Sequence, residues 1–477
     1  MPRPPNILLI VADDMGYGDF GRFGDGGPRT PTLDGLSHAG VCLTQHYSGS
    51  PVCAPARAAL LTGRYAHRTG AITPQEVMGL DRIHPGEVTL GDSFRHAGYA
   101  TGLIGKWHNG ALDDRFHPNR RGFDEFVGFR GGWMDYWNWW IERNGSREWG
   151  DGTRYLTDVF TEEAVGFLRR HRSEPFLLNL CYNAPHSPLQ APDAIVQPYL
   201  DRGIAPGAAI TYAMNEVMDT GVARLLEELD TLGLAQDTIV MFTSDNGPAM
   251  RLRADQVPEG MGVDTSRGNA GFRGAKGSVY EGGIRVPMVM RWPAGLEGGR
   301  TVDELVHFTD WLPTLLGIAE AERPEGLPLD GGDVLSLLRG ETPAEAPRQY
   351  WQWNAYSPIS TCNAAMRDGP WKLVRPQIAM RPATEAAQAA MDRYVEQDIA
   401  YKNDPDNTTQ MMEPEPERII AEPPPAELYH IGEDPAETQD RAGSHPDRVS
   451  RMQAELETWF DEVEADRRQV AEENIAD

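Results

Sequence analysis

A chain of 477 residues, 40% of them hydrophobic, is long enough for one large domain plus a smaller one and too apolar to stay disordered. Its formal net charge of −27 argues against nucleic acid and anionic membrane as partners. No apolar run reaches the ~18 residues that a membrane span needs.

In chain order, Met-Pro-Arg-Pro-Pro lacks the long apolar stretch of a signal peptide, so a cytoplasmic protein is expected. A periplasmic or secreted protein whose signal has been removed is the alternative. Asn6–Ala12 reads as a buried strand ending in two carboxylates, Asp13 and Asp14. Next comes Ser50-Pro51-Val52-Cys53-Ala54-Pro55-Ala56-Arg57, with a helix expected over Arg57–Gly63 after Pro55. The N–H groups at a helix start favour a nearby anion, whereas a lone cysteine is most often a small buried hydrophobe. Tyr99–Ile104 reads as a strand running into Gly105-Lys106-Trp107-His108, and Phe176–Tyr182 as one followed by Asn183-Ala184-Pro185-His186-Ser187-Pro188. On an extended segment Lys106 and His108 would point the same way. Tyr212–Leu232 has the period of a helix, with Val217, Val222, Leu225, Leu226 and Leu229 apolar. Thr238–Thr243 is a strand leading to Asp245 and Asn246, and Pro287–Trp292 another, preceded by Gly274-Ala275-Lys276-Gly277-Ser278-Val279-Tyr280-Glu281-Gly282-Gly283.

This alternation predicts an α/β fold, a large mixed and mostly parallel sheet sandwiched by helices, over residues 1–345. A smaller C-terminal subdomain is expected over 346–477: short antiparallel strands at Tyr350–Tyr356, Ala364–Arg367, Trp371–Val374 and Glu427–His430, closed by a helix at His445–Arg468. Within it, residues 376–425 read as an insertion with a helix near Ala383–Ala400 and a Pro/Glu-rich stretch, Met412–Pro425. It covers the active-site mouth, meets a second subunit of a homo-oligomer, or is a solvated loop; the sequence leaves these open.

Asp13, Asp14, His186, Asp245 and Asn246 all fall just past the carboxyl ends of predicted strands, where open α/β sheets bind ligands. Asp13, Asp14, Asp245 and Asn246 form an oxygen-only donor set that suits a hard divalent cation, Ca²⁺ first and Mg²⁺ second, and no Cys/His zinc spacing competes. One Asp pair after a strand is more often a cap or turn than a ligand. The second pair at a matching strand end makes a metal site the expectation.

These segments resemble, in order, the signatures of the type I sulfatases, within the alkaline-phosphatase-like superfamily: the Cys53-Ala54-Pro55-Ala56-Arg57 motif, Asp13/Asp14, Gly98–His108, Asn183–Pro188, Thr243–Gly247 and the lysine loop Gly274–Pro287. The resemblance implies that a maturation enzyme oxidises Cys53 to formylglycine and that residue 53 joins the metal ligands. The aldehyde hydrate would then attack sulfur through one hydroxyl, and deprotonation of the other would expel sulfate. It implies further that Arg57 holds the hydrate and the metal-side carboxylates and that Lys106 binds hydrate and sulfate. His108 would assist deprotonation, His186 would be the general acid for the leaving oxygen, and Lys276 would clamp a sulfuryl oxygen. With Cys53 converted, Cys42, Cys181 and Cys362 cannot pair fully within one chain, which favours a reducing compartment.

The expected substrate is a sulfated small molecule or saccharide. Trp133-Met134-Asp135-Tyr136-Trp137-Asn138-Trp139-Trp140, with Trp149, could form a sugar-binding wall, core packing or a subunit interface. Arg121-Gly122-Phe123-Asp124-Glu125-Phe126 also resembles carbohydrate sulfatases. Two alternatives stay open: a phosphonate monoester or phosphodiester hydrolase of the same superfamily, and a non-catalytic calcium-dependent protein that binds sulfated glycans. Asn246 and the Lys106/His108 pair favour sulfate over the first, and the complete residue set disfavours the second.

Overall fold

The first strand, β1 (Asn6–Ala12), is buried along its whole length. Its side chains alternate: Leu8, Ile10 and Ala12 enter a core on one face of the sheet, and Ile7, Leu9 and Val11 a second core on the other. A strand buried on both sides needs helices on both sides. Helices Leu156–Arg170 and Pro206–Thr231 supply Val159, Phe160, Met214 and Val222 to the first core. Helices Cys53–Thr62, Leu90–His96 and Trp311–Ala319 supply Ala56, Leu60, Phe94 and Leu315 to the second. The computed structural model describes residues 4–341, 347–411 and 413–476.

The remaining strands of this layer are β2 (Val41–Tyr47), β3 (Ala100–Lys106), β4 (Glu125–Phe129), β5 (Trp140–Arg143), β6 (Ser146–Trp149), β7 (Phe176–Cys181), β8 (Thr238–Ser244), β9 (Met288–Arg291) and β10 (Arg300–His307). Ten strands lie in the order β10-β2-β9-β8-β1-β7-β3-β4-β5-β6. The middle, β8-β1-β7-β3-β4, is parallel throughout. β9 runs antiparallel to both of its neighbours, and β5 and β6 form an antiparallel edge hairpin. The sheet is therefore mixed and mostly parallel.

Two local features set the site's geometry. Cys53 is the first residue of its helix, with Val52 extended before it, so the helix starts four residues earlier than Arg57, where the sequence placed it; Gly63, at φ 66°, ends it. β3 continues two residues past the expected Ile104 because Gly105, at φ 103°, lets it lie flush against β7. A β-carbon there would sit 1.9 Å from the Cys181 carbonyl oxygen.

In the C-terminal region β11 (Arg348–Gln352), β12 (Ala364–Asp368) and β13 (Trp371–Arg375) pair antiparallel, and β16 (Glu427–His430) completes a four-stranded sheet. One face carries Met366, Leu373 and Leu428 against Met452, Leu456 and Val463 of the closing helix Pro446–Ala476. The other carries Trp351, Ala365, Val374 and Tyr429 against Tyr47, Val279, Ile284 and Leu305 of the large layer. The expected division at 345/346 falls outside the described residues, as does Met412.

The insertion is not a solvated loop. It forms a two-stranded ribbon, β14 (Met380–Pro382) with β15 (Arg418–Ile420), and the helix Glu385–Asn403, whose Tyr401 enters the first core. The aromatic segment is largely packing as well. Tyr136, Trp139 and Trp140 are buried in the same core, while Trp149 stands exposed.

Candidate active site

The parallel register sets the site. Ala12 lies opposite Ser244, so Asp13 and Asp245 leave β1 and β8 side by side; Asp245 N–H donates to the Ala12 carbonyl and Asp13 N–H to that of Ala184, each at 3.0 Å. Lys106 ends β3 two strands away, and its Nζ reaches Asp13 Oδ2 at 2.7 Å. Arg57, one turn into its helix, donates from Nε to Asp245 Oδ2 at 2.9 Å and places Nη2 2.8 Å from the same oxygen. Lys276 Nζ sits 2.8 Å from Asp14 Oδ1 and 2.9 Å from Oδ2. Asn246 Nδ2 donates to Asp14 Oδ1 at 2.7 Å. Asp13, Asp14, Asp245, Asn246, Arg57, Lys106 and Lys276 thus form one constellation, buried except for the partly exposed Lys276.

Burial works against ionisation of Asp14, but Lys276 and His186 outweigh it and hold the carboxyl below its ordinary range. Arg57 has the same effect on Asp245, again against burial. Asp13 goes the other way: burial raises it well above the carboxylate range despite Lys106, with Asp245 adding to the rise. The Lys276 ammonium is raised, since Asp14 and then Cys53 overcome burial. Cys53 is buried beside these cations, and the lysine loop touches its segment through the Gly277 N–H on the Pro51 carbonyl at 2.8 Å.

The two histidines are fixed by carbonyl oxygens, which only accept. His186 Nδ1–H donates to the Ser187 carbonyl at 2.7 Å, leaving Nε2 as a bare acceptor 3.6 Å from Asp14 Oδ2. His108 Nε2–H donates to the Pro74 carbonyl at 3.0 Å, leaving Nδ1 buried without a partner. Burial first, with Lys276 for His186 and Lys106 for His108, pushes each down to about 3. The expectation that His108 and Lys106 share one side of an extended segment is corrected. β3 ends at Lys106, and His108 has a left-handed backbone at φ 54°, so its ring turns to the 74–76 loop.

A metal fits this donor set. Asp13 Oδ1 and Asn246 Oδ1 are buried without hydrogen-bond partners, and ligand atoms of Asp13, Asp14 and His186 lie within 4.8 Å of one another. Two orphaned oxygens beside an ionised carboxylate are what a hard divalent cation satisfies. His186 was expected among the catalytic groups and not among the metal donors; the structure brings its ring to Asp14.

Several buried charges near the site also escaped sequence reading. Glu76, Asp398 and Lys402 gather behind His108, and Glu281, Lys372 and Glu437 behind the lysine loop. Only Glu281, inside the lysine-loop motif, carried any signal.

Residues 5–321 match the family model described as Sulfatase, and residues 270–382 match that described as N-sulphoglucosamine sulphohydrolase, C-terminal. Steryl-sulfatase of Mus musculus is 35% identical over 425 residues, covering 71% of this chain but only 66% of its own length. N-acetylgalactosamine-6-sulfatase of Homo sapiens is 34% identical over 367 residues, covering 71% of this chain and 67% of that protein. Among solved structures, Ps i-CgsB in complex with k-i-k-neocarrahexaose aligns with a TM-score of 0.77 at 28% identity, covering 96% of this chain and 93% of that one.

Proposed function

The chain belongs to the sulfatase family, and from that premise we propose that it hydrolyses sulfate monoesters of saccharides. We propose that it does so with a formylglycine made from Cys53 and one divalent cation, calcium before magnesium. The saccharide reading leans on the N-acetylgalactosamine-6-sulfatases and on the sugar-bound solved structure.

The observation that carries the proposal is the charge balance of the constellation. Asp13, Asp14 and Asp245 face Lys106, Lys276 and Arg57, one cation to each carboxylate. A divalent cation at Asp13 would hold that carboxyl ionised against its burial; with neutral histidines the protein groups then cancel, and two oxygens without hydrogen-bond partners remain for the ion. A divalent ion then leaves the site positive, which an anionic ester needs on a chain of charge −27. Held by Asp13, Asp14, Asp245 and Asn246, that ion supplies Lewis-acid polarisation of oxygen. A formylglycine at position 53, as its hydrate, would supply one hydroxyl as the nucleophile toward sulfur and a second whose deprotonation would release sulfate.

The chain's own groups do the rest. Arg57 keeps Asp245 ionised and aimed. Lys106 and Lys276 hold ammonium groups where sulfuryl oxygens collect charge. His108 Nδ1 takes the proton from the second hydroxyl. His186 Nε2 delivers a proton to the leaving oxygen once an anionic ester beside it raises its affinity for one.

Turnover of nitrophenyl sulfate, phosphate and phosphonate esters at saturation tests the assignment. Sulfate is expected to be fastest, with inorganic phosphate inhibiting, because a phosphate monoester carries nearly two charges and is held tightly in its ground state. Faster phosphonate ester turnover would assign the chain to that chemistry instead.

A further inference from the structure

A second cluster of buried charges stands behind His108, and the insertion supplies two of its three members, Asp398 and Lys402. His108 Nε2 has Glu76 Oε2 at 3.7 Å in addition to the Pro74 carbonyl. Glu76 is fully buried; its Oε2 accepts the Gly132 N–H, and its Oε1 meets Lys402 Nζ. Lys402 lies in the last turn of the insertion helix and is itself buried, with Asp398 Oδ1 at 3.3 Å. Asp398 Oδ2 accepts the Trp133 indole N–H at 3.0 Å, and the Trp140 indole N–H donates to the Lys402 carbonyl at 2.9 Å. The helix end is therefore tied to the sheet, and Lys402 is almost fully enclosed. Other charges acting on His108 are Lys106 and Arg57, which oppose its protonation, and Asp81 and Asp398, which favour it.

Left alone, the Glu76 carboxylate would face the His108 ring across 3.7 Å of protein. A buried carboxylate at that range draws a second proton onto the imidazole, because the pair of charges is the cheaper state. An imidazolium has no lone pair to accept a proton from position 53. Lys402 removes that pull: as an ion pair or as a shared proton, Lys402 and Glu76 together carry no net charge.

We propose that Lys402 and Glu76 are positioning residues for His108. Their pairing keeps its ring neutral, with the proton on Nε2 and the lone pair on Nδ1. The insertion then belongs to the active site's chemistry, through a residue far in sequence from every motif. The catalytic consequence rests on the sulfatase mechanism above; the state of the ring does not.

The test uses the full chain, matured at Cys53, with ¹⁵N-labelled histidine and the His108 signals assigned by their loss in His108→Asn. The wild type should show a neutral His108 protonated on Nε2. Lys402→Met should show both nitrogens protonated and a kcat lower by about a hundredfold or more, the range for loss of a general base, with KM changed less than about threefold. Glu76→Gln/Lys402→Met, which removes both charges at similar shape, should restore the neutral signals and most of kcat. A wild-type spectrum with Nε2 bare or the ring charged would overturn the proposal even if no variant folds. So would Lys402→Met with unchanged His108 signals, or a double variant as impaired as the single. A wild type that releases no sulfate from any ester would sink the mechanism while leaving the spectral result to stand.

Discussion

His186 shows how one hydrogen bond decides what a side chain can do. Its Nδ1–H is committed to the Ser187 carbonyl, and the Tyr136 hydroxyl secures the same turn from below, at 2.7 Å from the Asn183 carbonyl and 2.9 Å from that of His186. Only Nε2 is left to exchange a proton, and burial keeps it neutral until an anion arrives. If it then serves as the acid, His186→Ala should slow a sugar sulfate by about a hundredfold or more, the usual contribution of general acid catalysis. Nitrophenyl sulfate should lose much less, because its leaving group departs without a proton. Comparing kcat on the two substrates decides it; equal losses would make His186 a binder of sulfate.

At the scale of the element, the lysine loop depends on the C-terminal sheet. Asn363, buried just before β12, accepts the Val279 N–H on Oδ1 at 3.2 Å and donates from Nδ2 to the Gly277 carbonyl at 2.8 Å. One side chain thus brackets the residues that follow Lys276. Asn363→Ala should cost about 1–3 kcal/mol in denaturant unfolding, since it strands buried polar groups. It should also raise KM for a sulfate ester more than it lowers kcat, as the binding role proposed for Lys276 requires. An unchanged KM would mean that the loop holds itself.

The strands were legible where both faces are buried: β1 has the expected bounds because it is apolar without interruption. β2, β4, β5, β6 and β10 drew no sequence assignment, since His, Gln, Glu, Asp and Arg break their apolar runs. The carboxylates proposed to hold the metal and Lys106 were legible as motifs at strand ends, and Lys276 as part of a glycine-rich loop. Asn363, Glu76 and Lys402 were not, because each acts through a partner more than 30 residues away, beyond any local pattern.

At the scale of the molecule, the two sheets are joined by a buried triad. Lys372 Nζ lies 2.8 Å from Glu281 Oε1 and 2.9 Å from Glu437 Oε1, and Glu437 Oε2 accepts the Glu281 N–H at 2.7 Å. Burial, reinforced by Glu281 against the pull of Lys372, raises Glu437 from 4.5 to about 7. The folded state therefore keeps a proton that the unfolded chain loses, and this group's contribution to stability falls as pH rises from 4.5 to about 7. Glu281 is depressed to about 2, so its contribution is lost only as pH falls below 4.5 and does not offset the first window. The excess unfolding free energy of the wild type over Glu437→Gln should shrink as pH rises from about 5 to about 7.5, measured by denaturant titration of both proteins. A mutant curve parallel to the wild type would place the proton elsewhere.

The whole account turns on residue 53, a buried thiol at a helix start beside Arg57 and Lys276. The most direct measurement pairs the mass of the peptide containing Cys53 with sulfate release, across preparations matured to different extents. Specific activity should rise in proportion to the fraction of residue 53 found as aldehyde or hydrate, and vanish when that fraction is zero. Full sulfate release by protein whose Cys53 is still an unmodified thiol would contradict it.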